Sequence, residues 1–430
     1  MSEIRRFQVK SLARVEGEGS LKVRVANGHV EIAEFSIYEP PRFFEKLVRG
    51  REIREVPDIV ARICGICPVA YQLTACEALE KALGVEVTAD IRRIRRLLYC
   101  GEWIQSHALH VHLLHAPDFM GVESGFALAA THPDLVNRGL RLKAIGSRIM
   151  EVVGGRAVHP VNVAVGGFHR APAAADLRGL VPDLEWALVA AIDLVAEVSR
   201  FEFPGVSRDY DGACLRPAVG YPMDEGRIVS TSGLDIDVAD YEQHFSERQV
   251  PWSTALQSVM LPEEKPYLVG PLARVNLGRD RLPPAARLAA DTSGLGFPLR
   301  LSSQSIVARA IEIVAACEEA LAIARDAAAI APCRIDFVPR GGAACHATEA
   351  PRGLLWHRYE IGDDGLITGA AIVPPTSQNQ AMIEADLKAM LPGVLGLDDA
   401  AATLACERVI RDYDPCISCA THFLRLTVDR

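Results

Sequence analysis

Two cysteine pairs stand almost a whole chain apart, Cys64-Gly65-Ile66-Cys67 and Cys416-Ile417-Ser418-Cys419 in 430 residues. A C-x-x-C pair sets two sulfurs close enough to chelate one metal, and two pairs supply four thiolates. If both serve one ion, the fold must bring its two ends together around it. In zinc ribbons the pairs are about 15–20 residues apart, and a chain of this size does not need a zinc staple to fold. Two separate thiol–disulfide motifs would call for a thioredoxin-like βαβ setting, and neither pair has one. Soft thiolates suit nickel, iron, zinc or copper(I), so ligand count alone leaves the metal open.

The other seven of the eleven cysteines (Cys76, Cys100, Cys214, Cys317, Cys333, Cys345 and Cys406) are scattered singly and read as small buried apolar side chains. Eleven in 430 is not disulfide-scaffold density, which favours metal or redox chemistry in a reducing compartment. The net charge of −9 argues against nucleic acid as the main partner, because phosphate binding needs a basic footprint. No stretch reaches the ~18 apolar residues of a membrane span, and the N-terminus lacks the apolar core of a signal peptide. The expected location is the cytoplasm, with export as a passenger of a partner left open.

Residues 7–38 alternate apolar and polar around Asn27-Gly28, a hairpin signal. From Pro57 the pattern turns helical. One helix is expected to carry VPDIVARICGIC, and a second to run through TACEALEKAL to Gly84. A long helix is expected over 91–116, ending near Pro117, and others over 183–201 and 305–329. The last is apolar nearly all round, as in the centre of a bundle. Residues 154–172, 339–353 and 370–379, rich in Gly and Pro, read as irregular. The expected fold is α+β and predominantly helical: one body over 1–430, with a β-rich N-terminal region to about residue 56, a long-helix bundle core, and both cysteine pairs meeting beside the long helices.

The surroundings of the pairs narrow the chemistry. Arg62-Ile63-Cys64-Gly65-Ile66-Cys67-Pro68 and Asp414-Pro415-Cys416-Ile417-Ser418-Cys419-Ala420-Thr421-His422 resemble the two signature motifs of nickel–iron hydrogenase large subunits. Arg14-Val15-Glu16-Gly17, Phe44-Glu45, HALHVHLLHAPD (107–118), GGRAVHPVNVAVGG (154–167), EAPRG (349–353) and VPPTSQN (373–379) resemble further family segments, in family order and over nearly the full length. The resemblance implies a heterobinuclear centre, with Cys64 and Cys416 as terminal nickel ligands and Cys67 and Cys419 bridging nickel to an iron that carries carbon monoxide and cyanide. It implies that Cys416 or Arg352 first accepts the proton from heterolytic cleavage of dihydrogen and that Glu16 starts the proton path. Arg352 would overhang the open position with Asp118 and Asp414 as its carboxylate neighbours. Pro351, Arg352 and Thr376 would line the cyanides. Glu45 and His422 would serve a second, hard-metal site, usually magnesium. Of the histidines, His107, His110, His112 and His115 scatter over two helix faces and read as core or supporting groups, with His115 nearest a functional role; His159 reads as a structural hydrogen-bonder.

One position departs from the family pattern. The common first motif is C-x-x-C-x-x-x-H, and here Tyr71 stands at its histidine. A phenol still donates one hydrogen bond but does not become cationic near neutral pH. The chain has no further cysteine set for an iron–sulfur cluster and no nicotinamide-binding G-x-G-x-x-G. The resemblance therefore implies an iron–sulfur small subunit, diaphorase subunits carrying flavin and NAD(P), and maturation partners: nickel-insertion proteins and an endopeptidase that trims the tail after His422. The cytoplasmic NAD(P)-linked, sulfhydrogenase-like branch fits best, with a deazaflavin-linked or viologen-type relative close behind. A hydrogen-sensing relative of low turnover, the quinone-module homologue of respiratory complex I, which lacks the cysteine quartet, and a zinc-stapled interaction protein are the competing readings.

Overall fold

A computed structural model describes residues 4–27 and 29–421. It is α+β and mainly helical. The chain opens with an antiparallel meander of β1 (Ile4–Val9), β2 (Gly19–Ala26) and β3 (His29–Ile37). Alternation buries Leu21, Val23, Val25, Phe35 and Ile37 on one face, as a half-buried sheet requires. The long loop between β1 and β2, residues 10–18, carries the R-x-E-G segment.

The core is a set of long helices: α1 (Pro68–Leu83), α2 (Ala89–Leu109), α3 (Pro133–Gly154) and α4 (Val181–Val198), then the short α5 (Pro271–Gly278) and the central α6 (Ser305–Arg325). α6 is buried on nearly every side and packs on α2, α4 and α5, as its all-round apolar sequence implies. α2 begins at a capped turn, where the Thr88 hydroxyl accepts from the Ile91 N–H. α2 and α3 cross where Gly101 meets Gly146: a Cβ on Gly146 would lie 2.5 Å from the Gly101 carbonyl oxygen.

A second antiparallel sheet, β4 (Gly342–Ala350), β5 (Gly353–Ile361) and β6 (Ile367–Val373), lies against α1. α7 (Pro375–Val394) and α8 (Asp399–Asp412) follow, and the chain then runs back into the interior. No helix among the described residues is long and apolar enough to cross a membrane.

Several expectations are corrected. The helix before the first cysteine pair is short, Val56–Ala61, and stops before Cys64. The pair itself lies in a non-helical loop, because Pro68 takes the first position of α1 and Cys67 its N-cap. The helix expected over 91–116 is α-helical only to Leu109. His110–His115 then form a wide π-helical turn, followed by a short helix, Ala116–Phe119. π-turns inside helices gather at functional sites, and periodicity alone does not reveal them. The segments 339–353 and 370–379 are mostly regular: β4 occupies the first, and β6 and the start of α7 the second. The Pro374-Pro375 step opens a helix rather than a loop. Its polar first turns are buried because Gln378 donates to Leu354 O, Asn379 to Val269 O and Gln380 to Leu256 O. Of the lone cysteines, Cys333 and Cys345 are only partly buried.

Candidate metal centre

The four paired cysteines meet. All four are buried and free, and their sulfurs lie within 4.8 Å of one another. Cys64 Sγ is 3.2 Å from Cys416 Sγ, Cys67 Sγ 3.5 Å from Cys419 Sγ, and Cys419 Sγ 3.0 Å from Cys416 Sγ. Among the described residues this is the one group of three or more His, Cys, Asp or Glu placed to hold a metal. Hydrogen bonds from Cys416, Cys419 and Cys67 hold the Cys64 thiol well below its ordinary range. Burial, then the neighbouring sulfurs, push Cys416 well above it. Four sulfurs in so small a volume share little negative charge unless a cation sits among them. The set therefore fits a metal, and its four soft donors fit nickel and iron as well as zinc.

Five pieces of chain build the walls: the loop before α1, the loop after β1, the tip between β4 and β5, the start of α7 and the segment after α8. Glu16 forms a parallel bridge with Cys416, and its carbonyl accepts from the Ile417 N–H at 3.0 Å. Its carboxylate Oε2 accepts from the Ser418 N–H at 3.1 Å and from the Cys416 thiol at 3.1 Å. The next residue must be glycine here: Gly17 has φ 87°, and a Cβ would meet Ile417 at 2.7 Å.

Arg352, at the β4–β5 tip after Pro351, is buried. Its Nε donates to the Asp414 carbonyl at 2.7 Å and its Nη2 to the Asp414 carboxylate at 3.0 Å. Burial opposes its charge, but Asp414 and the cysteine sulfurs outweigh burial and hold the guanidinium well above its ordinary range. Burial raises Asp414 while Arg352 opposes the rise. Asp414 is itself left-handed, φ 51°, a conformation that costs on the order of 1–3 kcal/mol unless neighbours fix it; Arg352 grips both its carbonyl and its carboxylate. Thr376, in the first turn of α7, accepts from the Cys416 N–H through its hydroxyl oxygen at 3.0 Å.

Asp118 has other partners than the one expected. Arg411 Nε and Nη2 each donate to it at 2.8 Å, and Arg14 Nη2 at 2.6 Å. Burial opposes its charge, yet these two guanidinia keep its carboxyl below the usual range. It thus ties the loop bearing Glu16 to the end of α8, and of the two carboxylates Arg352 takes only Asp414, with its Nη1 on the Ser106 hydroxyl at 3.3 Å. Glu45 accepts from the Ile372 N–H at 2.8 Å, against β6. His422 lies outside the described residues. The four histidines of 107–115 are all buried, each toward a different neighbour: His107 to Glu312 at 3.0 Å, His110 to Arg411 O at 3.0 Å, His112 to Ala108 O at 2.9 Å and His115 to Asp412 at 2.9 Å. His159 meets Ala61 O at 2.8 Å. Tyr71 is fully buried. Its hydroxyl has no hydrogen-bond partner of ordinary geometry among the described residues. Burial, and then the Cys419 and Cys67 sulfurs, push its pKa well up, so it stays a neutral O–H beside the second sulfur of each pair.

Three supporting residues escaped the sequence. Arg42 donates to Ile63 O at 2.7 Å and to Ser418 O, strapping one cysteine loop to the other; its position two residues before Phe44-Glu45 was the available signal. Glu102, inside α2, accepts from the N–H groups of Val69 and Ala70 at 2.7 and 3.1 Å. It so caps the helix that starts at Cys67. Arg274, on α5, holds the turn that carries Arg352. Nothing in the local sequence of Glu102 or Arg274 marks them, since their partners lie far off in the chain.

The family model for nickel-dependent hydrogenases matches residues 42–137 and 263–422, together well over half of the chain. The chain is 31% identical over 428 residues to the sulfhydrogenase 1 subunit alpha of Pyrococcus furiosus, covering 97% of this chain and 98% of that one. It is 30% identical to the sulfhydrogenase 2 subunit alpha of the same organism, covering 98% and 100%. A crystal structure of an NAD+-reducing [NiFe]-hydrogenase in the H2-reduced state superposes with a TM-score of 0.87 at 29% identity, covering 97% of this chain and 99% of that one. With four buried, converging cysteines where that family builds its metal centre, the chain belongs to the nickel-dependent hydrogenases, as a large, catalytic subunit.

Proposed function

We propose that this subunit splits and forms dihydrogen by passing the proton from the Cys416 sulfur to Glu16, with its electrons leaving to an iron–sulfur small subunit. The observation that carries the reading is the 3.1 Å contact between Cys416 Sγ and the Glu16 carboxylate, at the edge of an otherwise buried sulfur cluster. When bound, a nickel–iron centre with carbon monoxide and cyanide on iron supplies the redox-active, Lewis-acidic site at which dihydrogen is polarised. Cys64 and Cys416 would hold nickel alone; Cys67 and Cys419 would hold both metals. Arg352 places a fixed positive charge beside the sulfurs. With Pro351 it would help hold one of the iron's diatomic ligands, and the Thr376 hydroxyl, which accepts from the Cys416 N–H, would serve another. The Ser418 N–H orients Glu16 so that one oxygen stays on the thiol, as a general base must be. Glu16 is partly exposed, which gives the proton a way out. Asp414 orients Arg352; Asp118 orients the Glu16 loop. Tyr71 would donate its hydroxyl proton to the Cys419 sulfur in place of the usual histidine.

The similarity to two sulfhydrogenase alpha subunits and an NAD+-reducing enzyme supports diaphorase partners and NAD(P) as the distant acceptor; the cytoplasmic setting rests on the reading of the sequence alone. The magnesium site at Glu45 and His422, help from nickel-insertion proteins and trimming after His422 rest on the motifs alone. Infrared spectra of the matured protein test the class: bands of iron-bound carbon monoxide and cyanide are expected, with nickel and iron in equal amounts, and one zinc without such bands overturns it. Glu16→Gln tests the route. It keeps an acceptor for Ser418 but takes up no proton, so turnover should fall by about 10²–10⁴-fold with the infrared bands unmoved; turnover near that of the unaltered enzyme removes Glu16 from the path.

A further inference from the structure

Arg274 is fully buried, and every one of its five N–H groups has an acceptor. Nε and one Nη2 hydrogen go to the two oxygens of Glu312, both at 2.7 Å. One Nη1 hydrogen goes to Glu349 at 3.0 Å. The remaining two go to backbone carbonyls, Ala350 O and Pro351 O, each at 2.9 Å. Those carbonyls belong to the tip of the β4–β5 hairpin, where strand pairing ends at Ala350 and Gly353 and Arg352 turns toward the sulfurs. The Trp103 ring lies under the guanidinium, 4.5 Å from it, and the Trp103 Nε1–H donates to Glu349 O at 3.0 Å.

We infer that Arg274 is a positioning residue for catalysis: through Ala350 and Pro351 it fixes the turn that sets Arg352 beside the four cysteines. The inference rests on the reading that Arg352 acts at the metal centre. Buried ion pairs are weak evidence for stability alone, because desolvation offsets their attraction. Here two of five donors are spent on the carbonyls of one turn, and a planar five-donor fork is what such a cage requires; an ammonium, with three donors, does not reproduce it. The molecule holds its own comparison. Arg95 is equally buried and forks onto Glu80 at 2.6 and 2.8 Å, but its remaining contact is Ala164 O, away from the turn.

The test compares Arg274→Lys and Arg95→Lys in the matured, assembled enzyme. Both should lower the melting temperature. Only Arg274→Lys should also cut turnover per bound nickel, by about 100-fold for a displacement near 1 Å, and shift the infrared bands of the iron's diatomic ligands, with nickel and iron content kept. Arg274→Lys with the turnover and bands of the unaltered enzyme overturns the inference. Should that variant not fold, Trp103→Phe decides. It keeps the ring but loses the donor to Glu349 O; a several-fold loss of turnover per nickel with the same band shift supports the inference, and unchanged values overturn it. Arg352→Lys separates the two readings. If it alone collapses turnover, the positioning role fails; if it leaves turnover intact, the reading of Arg352 itself fails.

Discussion

At the residue scale, the centre is a problem of holding charge out of water. Four sulfurs, Asp414 and Arg352 are all buried, so each must find its partner inside the protein. Tyr71 illustrates how a departure from the family pattern is accommodated. Its phenol stays neutral beside Cys419 and Cys67, so it can donate one hydrogen bond but adds no positive charge. Tyr71→Phe should therefore leave nickel and iron content intact while shifting the nickel paramagnetic spectrum and changing turnover; identical spectra and activity would remove Tyr71 from the site. The cage around Arg274 gives a pH prediction. Burial pushes Glu349 up to about 7 from an ordinary 4.5. The folded protein thus binds more protons than the unfolded chain between those values, and this contribution to stability is full below about 4.5 and is lost as pH rises through about 7. Glu349→Gln stays neutral throughout, so the melting temperature of the unaltered protein relative to that variant should fall as pH is raised across that window. A flat difference would refute the shifted carboxyl.

At the element scale, the helices act as fixed arms for short loops. Cys67 is the N-cap of α1, and Glu102 of α2 caps the same end, so the first cysteine loop is set by how α1 and α2 pack. α2 is set in turn by α3 through the Gly101–Gly146 crossing. Gly146→Ala puts a methyl 2.5 Å from a backbone oxygen, and neither backbone yields without parting the helices. We expect a loss of about 1–3 kcal/mol in denaturant unfolding; an unchanged midpoint would show the crossing to be looser than described. The helix starts at Pro68 and Pro375 show how local rules reach the site: proline at the first position ends a loop sharply and leaves Cys67 and Thr376 facing the centre.

At the scale of the whole molecule, the centre is a seam between the chain's ends. The Glu16–Cys416 bridge, the Arg14–Asp118–Arg411 group and the Arg42 strap all join the first sixty-odd residues to the last twenty described. A metal held by Cys64, Cys67, Cys416 and Cys419 would close this seam, and binding to the folded state alone stabilises it by mass action. Hydrogen exchange of metal-loaded against metal-free protein should therefore show protection gained in 62–72 and 411–421, with α4 and α6 little changed. Protection spread evenly over the bundle would mean that the metal supports the fold as a whole.

The sequence by itself determined the donor set, the helical core and the β-rich start, because these depend on residue type and short-range period: two C-x-x-C pairs, apolar stripes near 3.6, and alternation around Asn27. Its ordered motifs also carried the family and singled out Glu16, Arg352, Asp414 and Thr376, all of which the structure gathers around the sulfurs. It missed the π-turn at His110–His115, the regular structure of 342–350 and the partners of Asp118, and it gave no sign of Arg274 or Glu102. The partners of Asp118, Glu102 and Arg274 lie tens to hundreds of positions away, and the π-turn and the strand 342–350, though locally bonded, are selected by what packs against them rather than by a period in their own residues. A strand of Gly, Ala, His and Thr exists because β5 pairs with it, and a buried arginine is functional only through the turn it grips. Such partnerships leave no local period to read, and only the tertiary structure decides them.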